Sequence, residues 1–269
     1  MTDTARVFEL DTDLEAGLAE AAAAVANGEC VVLPTDTVYG IGANAFDRAA
    51  VQRLLDAKER GRDMPPPVLI AEPSMLRAVG DDVPDAAKAL AHAFWPGALT
   101  LILKAQSKSG MELGETRGTV AVRVPDHDGA RALLRRTGPL AVSSANVSGQ
   151  PPATTAADAL DQLGDRVSVY LDGGTAPGGV ASTIVDFAST PDGVVLRDGA
   201  LSLDQLREHA PTVAPKVEPA PEPEPAPEPE AGPEAAAIEA DPEPEAAAIE
   251  AVAEESTEPI PPADEQPAP

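Results

Sequence analysis

A single cysteine, Cys30, among 269 residues leaves no partner for an intramolecular disulfide and no zinc site of the CxxC kind, which fits a reducing compartment. It reads as a small buried residue leading into a strand. Aromatic residues make up only 3% of the chain, too few for the stacking platforms of single-strand nucleic-acid binders. His92, His127 and His209 lie far apart and suggest no ligand set, so no protein-held metal is expected. No apolar run approaches the roughly 18 residues of a membrane span, and Met1 to Arg6 lacks the basic start and apolar stretch of a secretory leader. The expectation is a cytoplasmic protein that makes no membrane contact. A nucleophile elbow, a Walker A loop, a dinucleotide fingerprint and metal-ligand spacings are all missing, which excludes the common hydrolase, kinase and dehydrogenase motifs.

Basic charge is scarce too: 45 acidic residues face 19 lysines and arginines, a formal net charge of −26. The excess is unevenly spread. Residues 211–269 hold 16 acidic residues and one lysine, leaving 29 acidic against 18 basic, net −11, in residues 1–210. A domain built to grip a phosphate backbone would usually be basic, so any nucleic-acid contact here needs a locally basic groove. Beyond Ala210 the chain turns to proline, glutamate and alanine, and Pro233–Ala240 recurs as Pro244–Ala251. That composition cannot bury enough apolar surface to offset the entropy of ordering it. We therefore expect one compact domain over 1–210 and a disordered, Pro/Glu/Ala-rich acidic tail over 211–269, serving as a solvated solubility segment or as an interaction scaffold.

Within the domain, apolar spacing sets the order of elements. A helix is predicted from Asp13, as cap, to about Asn27, with Gly28 as its stop. Val31-Val32-Leu33 is a short buried strand ending at Pro34, and a polar, glycine-containing loop follows. Further helices are predicted at 47–58, 84–94, 128–136 and 156–163, and strands at 68–71, 99–103, 119–125, 140–143, 167–171, 182–187 and 194–197. In the 119–125 strand Val120, Val122 and Val124 share one face, so Arg123 points away from the valines. Irregular interleaving of strands and helices predicts an α/β domain with a twisted, open, mixed sheet flanked by helices.

Polar and basic residues gather where the apolar segments end. Pro34-Thr35-Asp36-Thr37-Val38-Tyr39-Gly40-Ile41-Gly42 sets hydroxyls, a carboxylate and glycines after a buried strand, where α/β sheets bind ligands; a turn capped by Asp36 or Thr37 would use the same residues. Lys58-Glu59-Arg60-Gly61-Arg62 places three cations at a helix end, suited to the helix dipole or to a phosphate chain. Ser143-Ser144-Ala145-Asn146-Val147-Ser148-Gly149 follows another apolar strand and suits a polar ligand or a simple Asx turn. Gly178 to Asp186 is a glycine turn feeding a strand. Arg123 and Arg197 sit on or after mainly apolar strands, and because uncompensated burial of charge is costly, both call for anionic partners.

Taken in order, PTDTVYGIGA, AKERGR, FWPGALTLIL, GTVAVRVP, SSANVSG and GGVASTIVD followed by Arg197 closely resemble the YrdC-like threonylcarbamoyl-adenylate synthase family. The resemblance runs over residues 14–200. It implies a twisted open fold with a concave, positively lined site, and a reaction joining L-threonine, bicarbonate and ATP into threonylcarbamoyl-AMP and pyrophosphate. The product would feed a downstream tRNA threonylcarbamoyltransferase complex that modifies the adenosine next to the anticodon in tRNAs reading ANN codons. By the family's Lys-x-Arg and Ser-x-Asn motifs, Lys58, Arg60, Ser144 and Asn146 are the implied catalytic residues. Thr35, Arg123, Ser144 and Ser182 match positions associated with threonine. Lys58, Arg60, Arg62, Thr119, Asn146, Thr154 and Arg197 match positions associated with ATP. Mg²⁺ carried by ATP is the implied cofactor, with no prosthetic group.

That chemistry needs no catalytic histidine or cysteine. Threonine's amine adds to bicarbonate or carbon dioxide and the carbamate oxygen attacks the α-phosphate, so positioning and charge cancellation dominate. The chain departs from the commoner family pattern at Met64-Pro65-Pro66-Pro67, and its acidic tail stands where longer members carry a folded C-terminal domain. Two other functions share parts of the pattern. Carbamoyl-adenylate chemistry of the hydrogenase-maturation type comes with zinc-binding cysteines that are missing here. An RNA-binding module, taking tRNA or double-stranded RNA on the concave face, is opposed by the net charge, which leaves at most a weak tRNA contact.

Overall fold

The computed structural model describes residues 5–216; of the acidic tail expected over 211–269, all but residues 211–216 lies outside them. Ten strands are described: β1 (Arg6–Glu9), β2 (Val31–Leu33), β3 (Gly40–Asn44), β4 (Val68–Leu69), β5 (Leu99–Lys104), β6 (Thr119–Arg123), β7 (Leu140–Ser144), β8 (Val169–Asp172), β9 (Thr183–Asp186) and β10 (Val194–Arg197). They form one sheet in the order β1-β8-β2-β3-β7-β4-β6-β5-β9-β10. Pairing is parallel at β1/β8, β2/β8, β4/β6 and β5/β9 and antiparallel elsewhere, the mixed, open sheet that interleaved strands and helices predict.

Side chains alternate between two apolar layers. Val31 and Leu33 of β2 and Val169 and Leu171 of β8 pack under α1 (Leu10–Ala26) and α5 (Asp128–Thr137) through Leu18, Val25 and Leu133. Val32, Ile41, Val122 and Tyr170 face the opposite way. There they meet α2 (Arg48–Ala57), with Leu54, α4 (Asp85–Phe94), with Leu90, and α6 (Ala156–Leu163), with Ala159. The short α3 (Leu76–Val79) and α7 (Leu203–His209) complete the helices, and Leu206 of α7 joins the same layer.

Four local features depart from the periodicity reading. The polar, glycine-containing loop expected over 34–42 ends at Tyr39, and residues 40–44 form β3, where Gly40 and Gly42 pack closely against Val142 and Leu33. A Cβ on Gly40 would lie 2.6 Å from Val142 Cγ1, so these glycines serve close packing rather than mobility. Asp13 does not cap α1. The helix begins at Leu10, and Asp13 has non-helical torsions inside it while accepting the Thr12 hydroxyl. β1 and α7 carried too little apolar periodicity to be predicted. Finally, Val213 is buried, and Val195 N–H donates to Ala214 O at 3.0 Å while Ala214 N–H donates to Gly193 O at 2.9 Å. Segment 213–214 thus pairs with the sheet edge, carrying the ordered chain past Ala210.

Candidate active site

The first polar cluster forms where α2 meets the end of β7. Asp47 caps α2, its Oδ1 accepting from Ala49 and Ala50 N–H at 2.8 and 3.1 Å. At the other end Lys58 closes the helix, Glu59 takes a left-handed φ of +54°, and Arg60 N–H returns to Leu55 O at 3.0 Å. This reversal buries Lys58, which is 2% exposed. Its Nζ donates to the Ser144 carbonyl at 2.5 Å and the Asn146 carbonyl at 2.7 Å, and Ser148 N–H donates back to Lys58 O at 2.9 Å. Arg60 Nη1 donates to Ser143 Oγ at 3.2 Å. The Lys-x-Arg and Ser-x-Asn segments are therefore stitched together.

Neither Lys58 nor Arg60 has a carboxylate within ion-pair distance among the described residues. Burial, with a smaller push from Arg60, depresses the Lys58 ammonium from 10.5 to about 8, and burial also lowers Arg60, opposed by Asp63. Two sealed polar atoms in this cluster lack partners: Arg60 Nε and Asn146 Oδ1. The Asn146 Nδ2 is spent on the Val147 and Gln150 carbonyls, both at 2.8 Å.

The second cluster surrounds Arg123. Loop 34–39 lies between β2 and β3, yet its side chains reach β6, three strand steps from β3, or about 14 Å at the usual spacing. Arg123 Nη2 donates to Asp36 Oδ1 at 2.6 Å, Nη1 to Thr37 Oγ1 at 2.8 Å and Nε to Gly97 O at 2.9 Å. Asp36 is thus the anion that a buried arginine demands. Burial lowers Arg123 and the Asp36 charge opposes that. Thr35 Oγ1 donates to Val38 O at 2.6 Å and lies 3.1 Å from Thr37 Oγ1. Ser182 Oγ lies 2.8 Å from Thr100 Oγ1, and Arg197 donates to the Ser182 carbonyl from Nε at 3.1 Å and Nη2 at 2.9 Å. Burial and then the neighbouring Arg123 charge lower Arg197, which pairs with no carboxylate among the described residues.

Three expected site residues join neither network. Arg62 Nη1 turns back onto α2, donating to Gln52 Oε1 at 2.8 Å. The Thr119 hydroxyl donates to Thr116 O at 2.8 Å. Thr154 Oγ1 donates at 3.1 Å to Asp158, whose carboxylate belongs to the capping box of α6. Sequence reasoning missed Thr100, and although it singled out the loops that hold Ser143, Asp36 and Thr37 it did not pair these residues with Arg60 and Arg123. A lone threonine inside Leu99-Thr-Leu-Ile-Leu103 was the available signal for Thr100, since a buried hydroxyl needs a partner.

Shape alone does not single the clusters out. Clefts of about 210 and 290 Å³ flank Asp81 and Asp82 and include none of these residues. No group of acidic, histidine or cysteine residues among the described residues could hold a metal ion. His127 instead caps α5, its Nδ1 accepting Ala130 N–H at 3.3 Å. No helix among the described residues is long and apolar enough to cross a membrane.

Comparison with known proteins gives a consistent picture. The protein-family model Sua5/YciO/YrdC, described as "Telomere recombination", matches residues 23–199. A Mycobacterium tuberculosis protein provisionally named threonylcarbamoyl-AMP synthase is 49% identical over 193 residues, 71% of this chain and 88% of its own length. The Bacillus subtilis threonylcarbamoyl-AMP synthase is 42% identical over 74% of this chain and 57% of its own. Among solved structures, P. abyssi Sua5 complexed with L-threonine superposes with a TM-score of 0.70 at 33% identity, covering 78% of this chain. This chain spans 62% of that protein.

Proposed function

Since this chain belongs to the Sua5/YciO/YrdC family, we propose that it is a threonylcarbamoyl-AMP synthase, a nucleotidyltransferase that converts L-threonine, bicarbonate and ATP into threonylcarbamoyl-AMP and pyrophosphate. One observation carries the reading: a domain of net charge −11 nevertheless buries Lys58, and half-buries Arg60, beside Ser143–Asn146 with no carboxylate within ion-pair distance of either among the described residues. Burying unpaired cations is expensive, and the arrangement suits a phosphate chain. The orphaned Arg60 Nε and Asn146 Oδ1 suit a ligand that both donates and accepts hydrogen bonds.

In this reading Lys58, Arg60, Ser144 and Asn146 hold and orient the nucleotide phosphates and the attacking carbamate. Thr35, Arg123 and Ser182 hold threonine, and Arg197, Thr119, Thr154 and Arg62 border the nucleotide. Catalysis is by position and charge: the carbamate oxygen bonds to the α-phosphorus, the bond to the bridging oxygen breaks, and pyrophosphate leaves with that electron pair. Mg²⁺ brought in with ATP would screen the phosphate charge. The setting is cytoplasmic, and the product passes to a tRNA threonylcarbamoyltransferase.

Pyrophosphate release by the purified chain with ATP, Mg²⁺ and bicarbonate tests this directly. Release is expected to depend on threonine and to be weaker with serine. Release that ignores the amino acid would overturn the assignment.

A further inference from the structure

Asp36 stands in a peculiar place for a site that must attract anions. Its carboxylate lies 2.6 Å from Arg123 Nη2, with side-chain exposures of 14% and 8% respectively. Both of its hydrogen bonds, from Arg123 and from Asp126 N–H at 2.9 Å, end on Oδ1; Oδ2 accepts none from the described residues. Arginine has five N–H donors. Three are spent on Asp36, Thr37 and Gly97, leaving one on each terminal nitrogen.

For a ligand that is only a carboxylate this design is counterproductive, because a fixed negative charge beside the guanidinium repels it. For an α-amino acid it is complementary. Such a ligand carries its carboxylate and its ammonium on one α-carbon, and the Arg123–Asp36 pair offers the opposite charges side by side. Resting on the threonine-binding reading above, we infer that Asp36 recognises the substrate's ammonium group and thereby restricts the site to zwitterionic α-amino acids. Thr37 shares the guanidinium and Asp126 shares Oδ1, so the carboxylate is held against rotation before the substrate arrives.

The alternative is that Asp36 only positions Arg123. Asp36→Asn separates the two, since the amide oxygen still accepts from Arg123 and from the Asp126 amide but carries no charge. The probes are threonine and 3-hydroxybutyrate, which keeps the carboxylate, hydroxyl and methyl group but has no amine, each titrated by calorimetry against the full chain. Asp36→Asn is expected to weaken threonine about tenfold or more while 3-hydroxybutyrate binds as before or tighter. Equal effects on both probes, or none on threonine, would refute the inference. A wild-type measurement guards against a folding defect: above the amine's pKa the preference for threonine over 3-hydroxybutyrate should collapse, and its persistence would also refute it. If wild type binds no threonine at neutral pH, it is the functional reading that fails.

Discussion

Lys58 offers a test in which two measurements move in opposite directions. Its ammonium is depressed from 10.5 to about 8 by burial and then by Arg60. Between those values the unfolded chain binds the proton more tightly than the folded one, so the charged lysine opposes folding. That cost is fully present below about pH 8 and fades as pH rises toward 10.5. Such a difference corresponds to of order 3 kcal/mol, and stability rises with pH across this window. ATP affinity should do the reverse. Once the proton leaves, one charge-assisted contact to phosphate is lost, worth about 1.5–3 kcal/mol, or roughly ten- to 150-fold in Kd. Calorimetric ATP titrations without threonine, and denaturant midpoints, both run from pH 7 to 10 against Lys58→Met, isolate the lysine from other titrating groups. Wild type should lose its affinity advantage over Lys58→Met while gaining stability relative to it. If relative stability does not rise, Lys58 does not titrate near 8; if it rises while the affinity advantage persists, Lys58 does not contact phosphate.

Three further outcomes follow from local geometry. Glu59→Gly removes a left-handed non-glycine residue, φ +54°, worth about 1–2 kcal/mol less the extra entropy of glycine. The melting temperature should rise by about 1–4 °C, and a fall would mean the exposed 3.4 Å pair with Arg166 matters more than the backbone. Gly40→Ala pushes a methyl into Val142 opposite Ser144, and should cost about 1–3 kcal/mol in chemical denaturation; Val142→Ala should rescue it, and failure to rescue places the strain elsewhere. His127 caps α5 only while its Nδ1 is unprotonated, and burial holds its pKa below 6.5, against Asp128, Asp36 and Asp126. The folded state therefore resists its protonation, and stability should fall as pH drops below 6.5; His127→Asn, a cap that cannot titrate, should flatten that limb, and an unchanged pH profile would contradict the assignment.

What could be read in advance, and what could not, divides along physical lines. Apolar periodicity located β5, β6, β7 and the helices α2, α4, α5 and α6 to within a residue or two, because burial of one face imposes it. The same logic failed at β3, where glycine signals freedom in isolation but marks close packing once Val142 and Leu33 are neighbours. α7 was legible in principle, since Ser202 and Gln205 form a reciprocal capping box, but its seven residues carried too little periodicity to draw notice. In the site, the ordered motifs brought Lys58, Arg60, Ser144 and Asn146 into view, although no spacing rule says that Lys58 grips backbone carbonyls 86 and 88 residues away. Arg123 shows the limit most clearly. An arginine in a valine strand demands an acid, but the domain has 29, and the one chosen lies 87 residues earlier on a loop that crosses the sheet. That choice depends on strand order, which places β7 and β4 between the loop's own strand and Arg123. Single residues announce a need for charge; the topology decides which partner meets it, and so which ligand the remaining N–H groups can take.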